Sequence, residues 1–169
     1  MKWVAVFVAA VALQRFGELA ISARHARRVR ARGAHESGAG HFPLIVLVHV
    51  LFPLCLVAET ALLGATPGRW WPAWLALWAG AQLLRYSAIH ALGDRWNVRI
   101  LVVPGEAPVQ SGPYRFLRHP NYVAIVAELF AGPMVFGAWR TALLITVVNA
   151  FALRLRIRAE NAALGGGAD

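Results

Sequence analysis

Acidic residues, lysine and cysteine are all scarce in this sequence. Lysine occurs once, at Lys2, and cysteine once, at Cys55. A lone cysteine closes no internal disulfide. This one lies within an apolar run, where it reads as a small packing residue. No His, Cys and carboxylate cluster has metal-ligand spacing, so no metal is expected. No Gly-x-Gly-x-x-Gly follows a strand, which argues against a Rossmann-type cofactor site. No Ser/His/Asp or Cys/His set stands at recognisable spacing. Charged residues make up only 15% of the chain, against about a quarter in a soluble domain. A net charge of +9 would suit nucleic acid. However, the basic residues are arginines gathered between apolar runs, so nucleic acid is a poor partner.

What is present is apolar sequence: 59% of 169 residues, with a positive mean hydropathy. A multi-span membrane protein with basic loops accounts for charge and hydrophobicity together. Five spans are expected, at about 3–22, 42–63, 70–92, 120–136 and 141–160, in one membrane-embedded domain over residues 1–169. The fold class is therefore all-α, integral to a membrane. The opening has the look of a signal peptide, Lys2 followed by apolar residues to Leu13. The run continues through Gln14, Arg15 and Glu18 without a clear small-residue cleavage site, so a retained span is the better reading. Arg15 and Glu18 share a helical face and read as a structural ion pair. His49 reads as a satisfied core histidine and Glu59 as a buried hydrogen-bonded group. Arg85 and His90 fall near the end of the third span, where snorkelling is cheap. Trp70 and Trp71 suit an interfacial aromatic belt. The fourth span is short and interrupted at Gly132-Pro133.

The polar segments set the expected orientation. Arg24 to His41 reads as a first basic loop, with Arg24, Arg27, Arg28, Arg30 and Arg32. Gly93 to His119 is a second, longer one, with Arg95, Arg99, Arg115 and Arg118; Arg99 to Val103 is extended in character and Pro104-Gly105 marks a turn. The end of the fifth span adds Arg154, Arg156 and Arg158. The positive-inside rule puts all three clusters in the cytoplasm, the N-terminus outside and the C-terminus inside. The Gly165-Gly166-Gly167 tail reads as disordered.

One stretch concentrates chemistry: Gly112-Pro113-Tyr114-Arg115-Phe116-Leu117-Arg118-His119-Pro120-Asn121-Tyr122. A turn opens it, and Pro120 sits where a helix begins. Such a helix end offers free backbone N–H groups to an anion. Spans four and five form a hairpin that brings this stretch beside Arg156, Glu160 and Asn161. Arg156 and Glu160 are one turn apart on one face, and Asn149 and Leu153 continue the stripe toward the membrane.

Tyr114-x-x-x-Arg118-His119-Pro120-x-Tyr122 after Ser111-Gly112, with Arg156-x-x-x-Glu160 near the C-terminus, resembles the isoprenylcysteine carboxyl methyltransferase family. Gln14-Arg15-x-x-Glu18, Gly40-His41-Phe42-Pro43 and Arg95-Trp96-Asn97 extend the resemblance to its small bacterial branch and to nearly the whole chain. The resemblance implies an integral membrane methyltransferase that uses S-adenosylmethionine. It implies that Tyr114, His119, Pro120, Asn121, Tyr122 and Glu160 line the cofactor site on the loop between spans three and four. It implies that Arg156 is the catalytic residue, facing the acceptor, and that the loop from Glu106 to Val109 covers the cofactor. The family often carries two adjacent acidic residues at this helix end; Asn161 stands in the second position here.

The acceptor implied is lipophilic, reached sideways from the bilayer, and methylated on a carboxylate, enol or phenol oxygen. The alanine- and arginine-rich composition suggests a bacterium, hence its inner membrane with the active site facing the cytoplasm. The bacterial branch resembles enzymes linked to alkylpyrones and alkylresorcinols. A phospholipid N-methyltransferase-like enzyme and a non-enzymatic membrane scaffold or transporter subunit are the alternatives. Oligomeric state is not legible in the sequence.

Overall fold

Among the described residues five α-helices carry the fold: α1 (Lys2–Ala31), α2 (Phe42–Leu62), α3 (Trp71–Leu92), α4 (Pro120–Val135) and α5 (Trp139–Gly165). A computed structural model describes residues 1–38, 40 and 42–165. His41, and Gly166 and Gly167 of the expected disordered tail, therefore lie outside the described residues; Gly165 is still helical. Among the described residues, α1 and α2 are long and apolar enough to cross a membrane.

The polarity of the helices runs outward to inward in reverse of a soluble protein. Leu13, Phe16, Leu54, Leu83, Leu143 and Phe151 are all exposed, Leu83 at 75%. A girdle of this kind is untenable in water and ordinary in lipid. The helix contacts combine large apolar side chains such as Phe52, Leu56, Leu129 and Ile145 with many small ones: Ala81, Ala88, Ala124, Ala131, Ala142 and Ala152 are buried at 5% exposure or less. Small side chains let helix backbones approach where no water is expelled by packing.

α4 is the centre of the assembly. Ten of its residues are buried, and α3 packs along it more closely than any other pair of helices. It runs unbroken through Gly132 and Pro133, where the sequence suggested an interruption. Gly132 earns its place through packing, because a Cβ there would lie 3.2 Å from the ring of Phe7. A turn at Phe136–Ala138 returns the chain as α5 alongside α4, so the expected hairpin forms. Gly137 has φ 71°, and a Cβ on it would lie 2.0 Å from the Thr66 carbonyl oxygen, so only glycine fits. The start of α5 is held from α2. Glu59 accepts from the backbone N–H groups of Arg140 (3.1 Å) and Thr141 (2.7 Å) and from the Thr141 hydroxyl (2.7 Å). These bonds satisfy donors that a helix start leaves free, so Glu59 is the buried hydrogen-bonded group it was expected to be.

Two segments depart from the expected loops. α1 does not end near Ser22; it continues through the arginine cluster to Ala31. The reason is docking. The extra turns hold the segment after α3, a short 3-10 turn at Gly93–Arg95. Ser22 Oγ accepts from the Val98 N–H (3.0 Å), His25 Nδ1–H donates to the Trp96 carbonyl (2.9 Å), and Arg28 pairs with Asp94 (2.8 Å). The hydrogen bond from Arg28 holds the Asp94 carboxyl below the usual carboxylate range. Beyond the helix, β1 (His35–Ser37) pairs antiparallel with β2 (Ile100–Val102), His35 opposite Val102 and Ser37 opposite Ile100. The extended character of Arg99 to Val103 is borne out as β2, whereas β1 lies in sequence with no strand pattern of its own.

Candidate functional site

The segment from Ser111 to Tyr122 folds as a 3-10 turn at Gly112–Arg115, then a bend, then α4. Pro120 is fully buried at the first position of α4, where its missing N–H costs nothing and its ring packs inward. The helix start is less open to an anion than the sequence suggested. The N–H groups of Tyr122 and Val123 both donate to the His119 carbonyl, at 3.0 and 3.2 Å. Pro120 has no N–H. Among the described residues, the N–H of Asn121 is the free donor of that turn.

Tyr122 is the pivot of the site. Its hydroxyl accepts from Arg156 Nε at 2.9 Å and donates to Glu160 Oε2 in a short hydrogen bond. Arg156 and Glu160 share a helical face, as their spacing requires, but they do not form a direct pair. The phenol bridges them. Its ring lies flat against the His119 ring, 5.2 Å between centroids and 16° between planes. The Arg156 guanidinium is further fixed by backbone carbonyls of the segment docked on α1: Nη1 donates to Val98 (2.6 Å) and Nη2 to Asn97 (3.4 Å). A guanidinium has five N–H groups; these three contacts leave one on each terminal nitrogen unclaimed. Tyr114 approaches from the loop side. Burial, then the negative charge of Glu160, push its hydroxyl above the usual phenol range, so it stays protonated as a donor.

The predicted residues Tyr114, His119, Asn121, Tyr122, Arg156 and Glu160 are thus gathered at one end of the bundle. Beyond them the structure opens into a cavity of about 440 Å³ between α1, α2, α4 and α5. Arg156, Tyr122 and Asn121 form its polar end; the walls beyond are mostly apolar side chains such as Val11, Ile45 and Leu153, with His49, Asn149, Arg15, Glu18 and Arg85 also on the lining. Phe16, Val50 and Leu54 line it and are also exposed on the outer surface, so it opens sideways between α1 and α2. Arg118 and Arg115 stay on the periphery. Glu106, on the loop expected to cover the site, is tied down by Arg95 (2.8 Å) and Arg32 (3.3 Å). Among the described residues no cluster of His, Cys, Asp or Glu has a metal-holding arrangement.

Sequence reasoning missed a second polar centre. Glu128 takes a two-pronged contact from Arg85 and a bond of 2.7 Å from Arg15. Arg15 also pairs with Glu18 at 2.6 Å, as expected, and Gln14 links Glu18 (3.1 Å) to Gln82 (2.7 Å). Arg85 was expected to snorkel toward water. It is 2% exposed instead, because Glu128 on the neighbouring helix supplies a buried partner. The signal was one acidic residue inside a short apolar span, which demands a cation on another helix.

Comparison with known proteins assigns the chain. Residues 74–165 match the isoprenylcysteine carboxyl methyltransferase (ICMT) family. An uncharacterized protein of Bacillus subtilis, YpbQ, is 39% identical over 164 residues, covering 97% of this chain and 96% of its own. An uncharacterized protein of Haemophilus influenzae is 27% identical over 165 residues, with the same coverage. No solved structure matches. Fold and site define a membrane protein with a polar centre opening onto an apolar cavity. The chain belongs to the isoprenylcysteine carboxyl methyltransferase family, and so to the membrane methyltransferases.

Proposed function

We propose that this protein is an S-adenosylmethionine-dependent integral membrane methyltransferase that methylates an oxygen of a lipophilic acceptor. One observation carries the reading. The chain Arg156–Tyr122–Glu160 spans the boundary between a polar aromatic loop and an apolar cavity open to the side. A water-soluble donor and a lipid-soluble acceptor meet only at such a boundary.

The residues on the loop side fit the donor. The His119 and Tyr122 rings, the Glu160 carboxylate and the protonated Tyr114 offer aromatic surface and polar contacts. Among the described residues Asn121 Oδ1 is buried without a hydrogen-bond partner, an acceptor that a ligand amine or amide would satisfy. Tyr114, His119, Asn121, Tyr122 and Glu160 would hold the molecule, with Pro120 setting their backbone. The bound sulfonium supplies a methyl group already on a good leaving group. The chain's own task is therefore alignment and charge placement. Arg156 holds the acceptor oxygen as an anion, using its two unclaimed N–H groups. The carbonyls of Asn97 and Val98 and the Tyr122 hydroxyl fix its plane before substrate arrives. No general base is required for a carboxylate, enolate or phenolate of low pKa.

The orientation follows from charge. Basic residues cluster at the ends of α1 and α5 and along the segment from Gly93 to His119, and the positive-inside rule supports a reading in which this face is cytoplasmic and the active site faces inward from a bacterial plasma membrane. The acceptor, and bilayer lipid around the exposed leucines, are the partners.

Titration of the detergent-solubilised protein with S-adenosylhomocysteine in a calorimeter tests the donor site. Wild type is expected to bind. Glu160→Ala is expected to lose about 10–100-fold in affinity, the worth of a charged hydrogen bond. Tyr122→Phe removes the bridge but not the ring. It is expected to lose about tenfold in affinity, because Glu160 and Arg156 are no longer held by a common group. No binding by a folded preparation would overturn the reading in favour of a membrane scaffold.

A further inference from the structure

The large cavity has a second polar station, deeper in the bundle and unused by the reaction described above. Asn149, on α5, is 1% exposed, lines the cavity, and among the described residues has both amide atoms without a hydrogen-bond partner. Leaving a donor and an acceptor unpaired in an apolar interior is costly, and native proteins rarely do so without a ligand or water in view. His49, on α2, lines the same cavity. Its Nδ1 lies 2.8 Å from the Ile45 carbonyl, which can only accept. Nδ1 therefore carries the hydrogen. In the neutral ring Nε2 is then a bare acceptor, and it makes no hydrogen bond among the described residues.

The helix register sets the two at one depth. Glu59 and Thr141 are bonded, and α2 and α5 run antiparallel from that point. His49 lies ten residues back from Glu59, and Phe151 lies ten residues on from Thr141. Asn149 is two residues from Phe151, so it is within about 3 Å of the depth of His49 at 1.5 Å per residue. Arg156 is seven residues further along α5, roughly 10 Å toward the loop.

We propose that His49 and Asn149 form a specificity site for a hydroxyl on the acceptor's alkyl body, roughly 10 Å from the oxygen that receives the methyl group. A hydroxyl matches the station. It donates to His49 Nε2 and accepts from the Asn149 amide, while Arg156 holds the anionic oxygen at the cavity's other end. The ligand class is a long-chain amphiphile with an acidic head and a mid-chain hydroxyl. The inference rests on the reading of this cavity as the acceptor's place.

The test uses three probes: palmitic acid, the same acid with one hydroxyl at mid-chain, and the same acid with the hydroxyl beside the carboxyl. Each is titrated into the full chain in nanodiscs, and bound ligand is counted by native mass spectrometry. The mid-chain hydroxy acid is expected to bind about tenfold more tightly than the other two, the worth of one hydrogen bond to a buried group. Asn149→Leu and His49→Phe are each expected to remove most of that preference while still binding palmitic acid. Equal binding of the three probes by wild type overturns the inference, as does a preference that survives in both variants. The wild-type comparison stands even if a variant does not fold. Binding of S-adenosylhomocysteine is measured in the same preparation. Its absence would strike the methyltransferase reading, whereas its presence with no hydroxyl preference would strike this inference alone.

Discussion

Glu128→Leu is expected to destabilise the folded protein by about 3–5 kcal/mol, the cost of leaving a buried charge without its partner. Glu128 is 2% exposed and binds both Arg85 and Arg15. With Glu18 the group is balanced, two carboxylates against two guanidiniums. Removing Glu128 leaves two cations facing Glu18 alone, with Arg85 buried and Arg15 half-buried. Gln14 and Gln82 are neutral and offer no remedy. The loss is measured as the shift in unfolding midpoint during a denaturant titration in mixed micelles. A control separates pairing from packing. Replacing Arg15, Glu18, Arg85 and Glu128 together by apolar residues of similar volume is expected to cost far less than the single change, because no orphaned charge remains. If Glu128→Leu unfolds at the wild-type midpoint, the three-helix charge centre contributes nothing to stability.

That centre also marks where sequence reading fails and why. Local spacing found Arg15 with Glu18, because partners three residues apart on one helix meet by geometry alone. Arg85 and Glu128 are forty-three residues apart and meet only through the packing of α3 on α4. A single chain carries no trace of that pairing beyond the oddity of a carboxylate in an apolar run. The same limit explains β1. His35-Glu36-Ser37 has no strand character, and it becomes a strand because Ile100–Val102 lies beside it. α1 passed its expected end for a related reason: Ser22, His25 and Arg28 are polar, hence loop-like in sequence, yet each has a partner on the segment after α3. By contrast, the gathering of Tyr114, His119, Tyr122, Arg156 and Glu160 was legible. It needed only a tight turn between α4 and α5 to bring two sequence-distant clusters to one end. What was not legible was the manner of their contact. Tyr122 stands between Arg156 and Glu160, a bridge that spacing along α5 does not reveal.

Arg156→Ala is expected to reduce methyl transfer by about 10²–10³-fold, the usual effect of removing a preorganised donor aimed at developing or resident negative charge. The measurement follows label from methyl-tritiated S-adenosylmethionine into organic-extractable product in membranes that carry the protein, so the acceptor need not be known beforehand. Donor affinity is expected to fall far less, because Glu160, His119 and Tyr114 remain in place. Arg156→Lys is the sharper variant. It keeps the positive charge, but one ammonium on a flexible stem cannot reproduce a planar fork that meets Tyr122, Val98 and Asn97 at once. If charge alone mattered, lysine would restore most of the activity. If a fixed plane aims the unclaimed N–H groups at the acceptor oxygen, Lys and Ala will be impaired to a similar extent, and that is the expected result. Wild-type turnover in Arg156→Ala would remove this residue from the reaction and shift the site of acceptor activation to the other arginines facing the cavity among the described residues, Arg15 and Arg85.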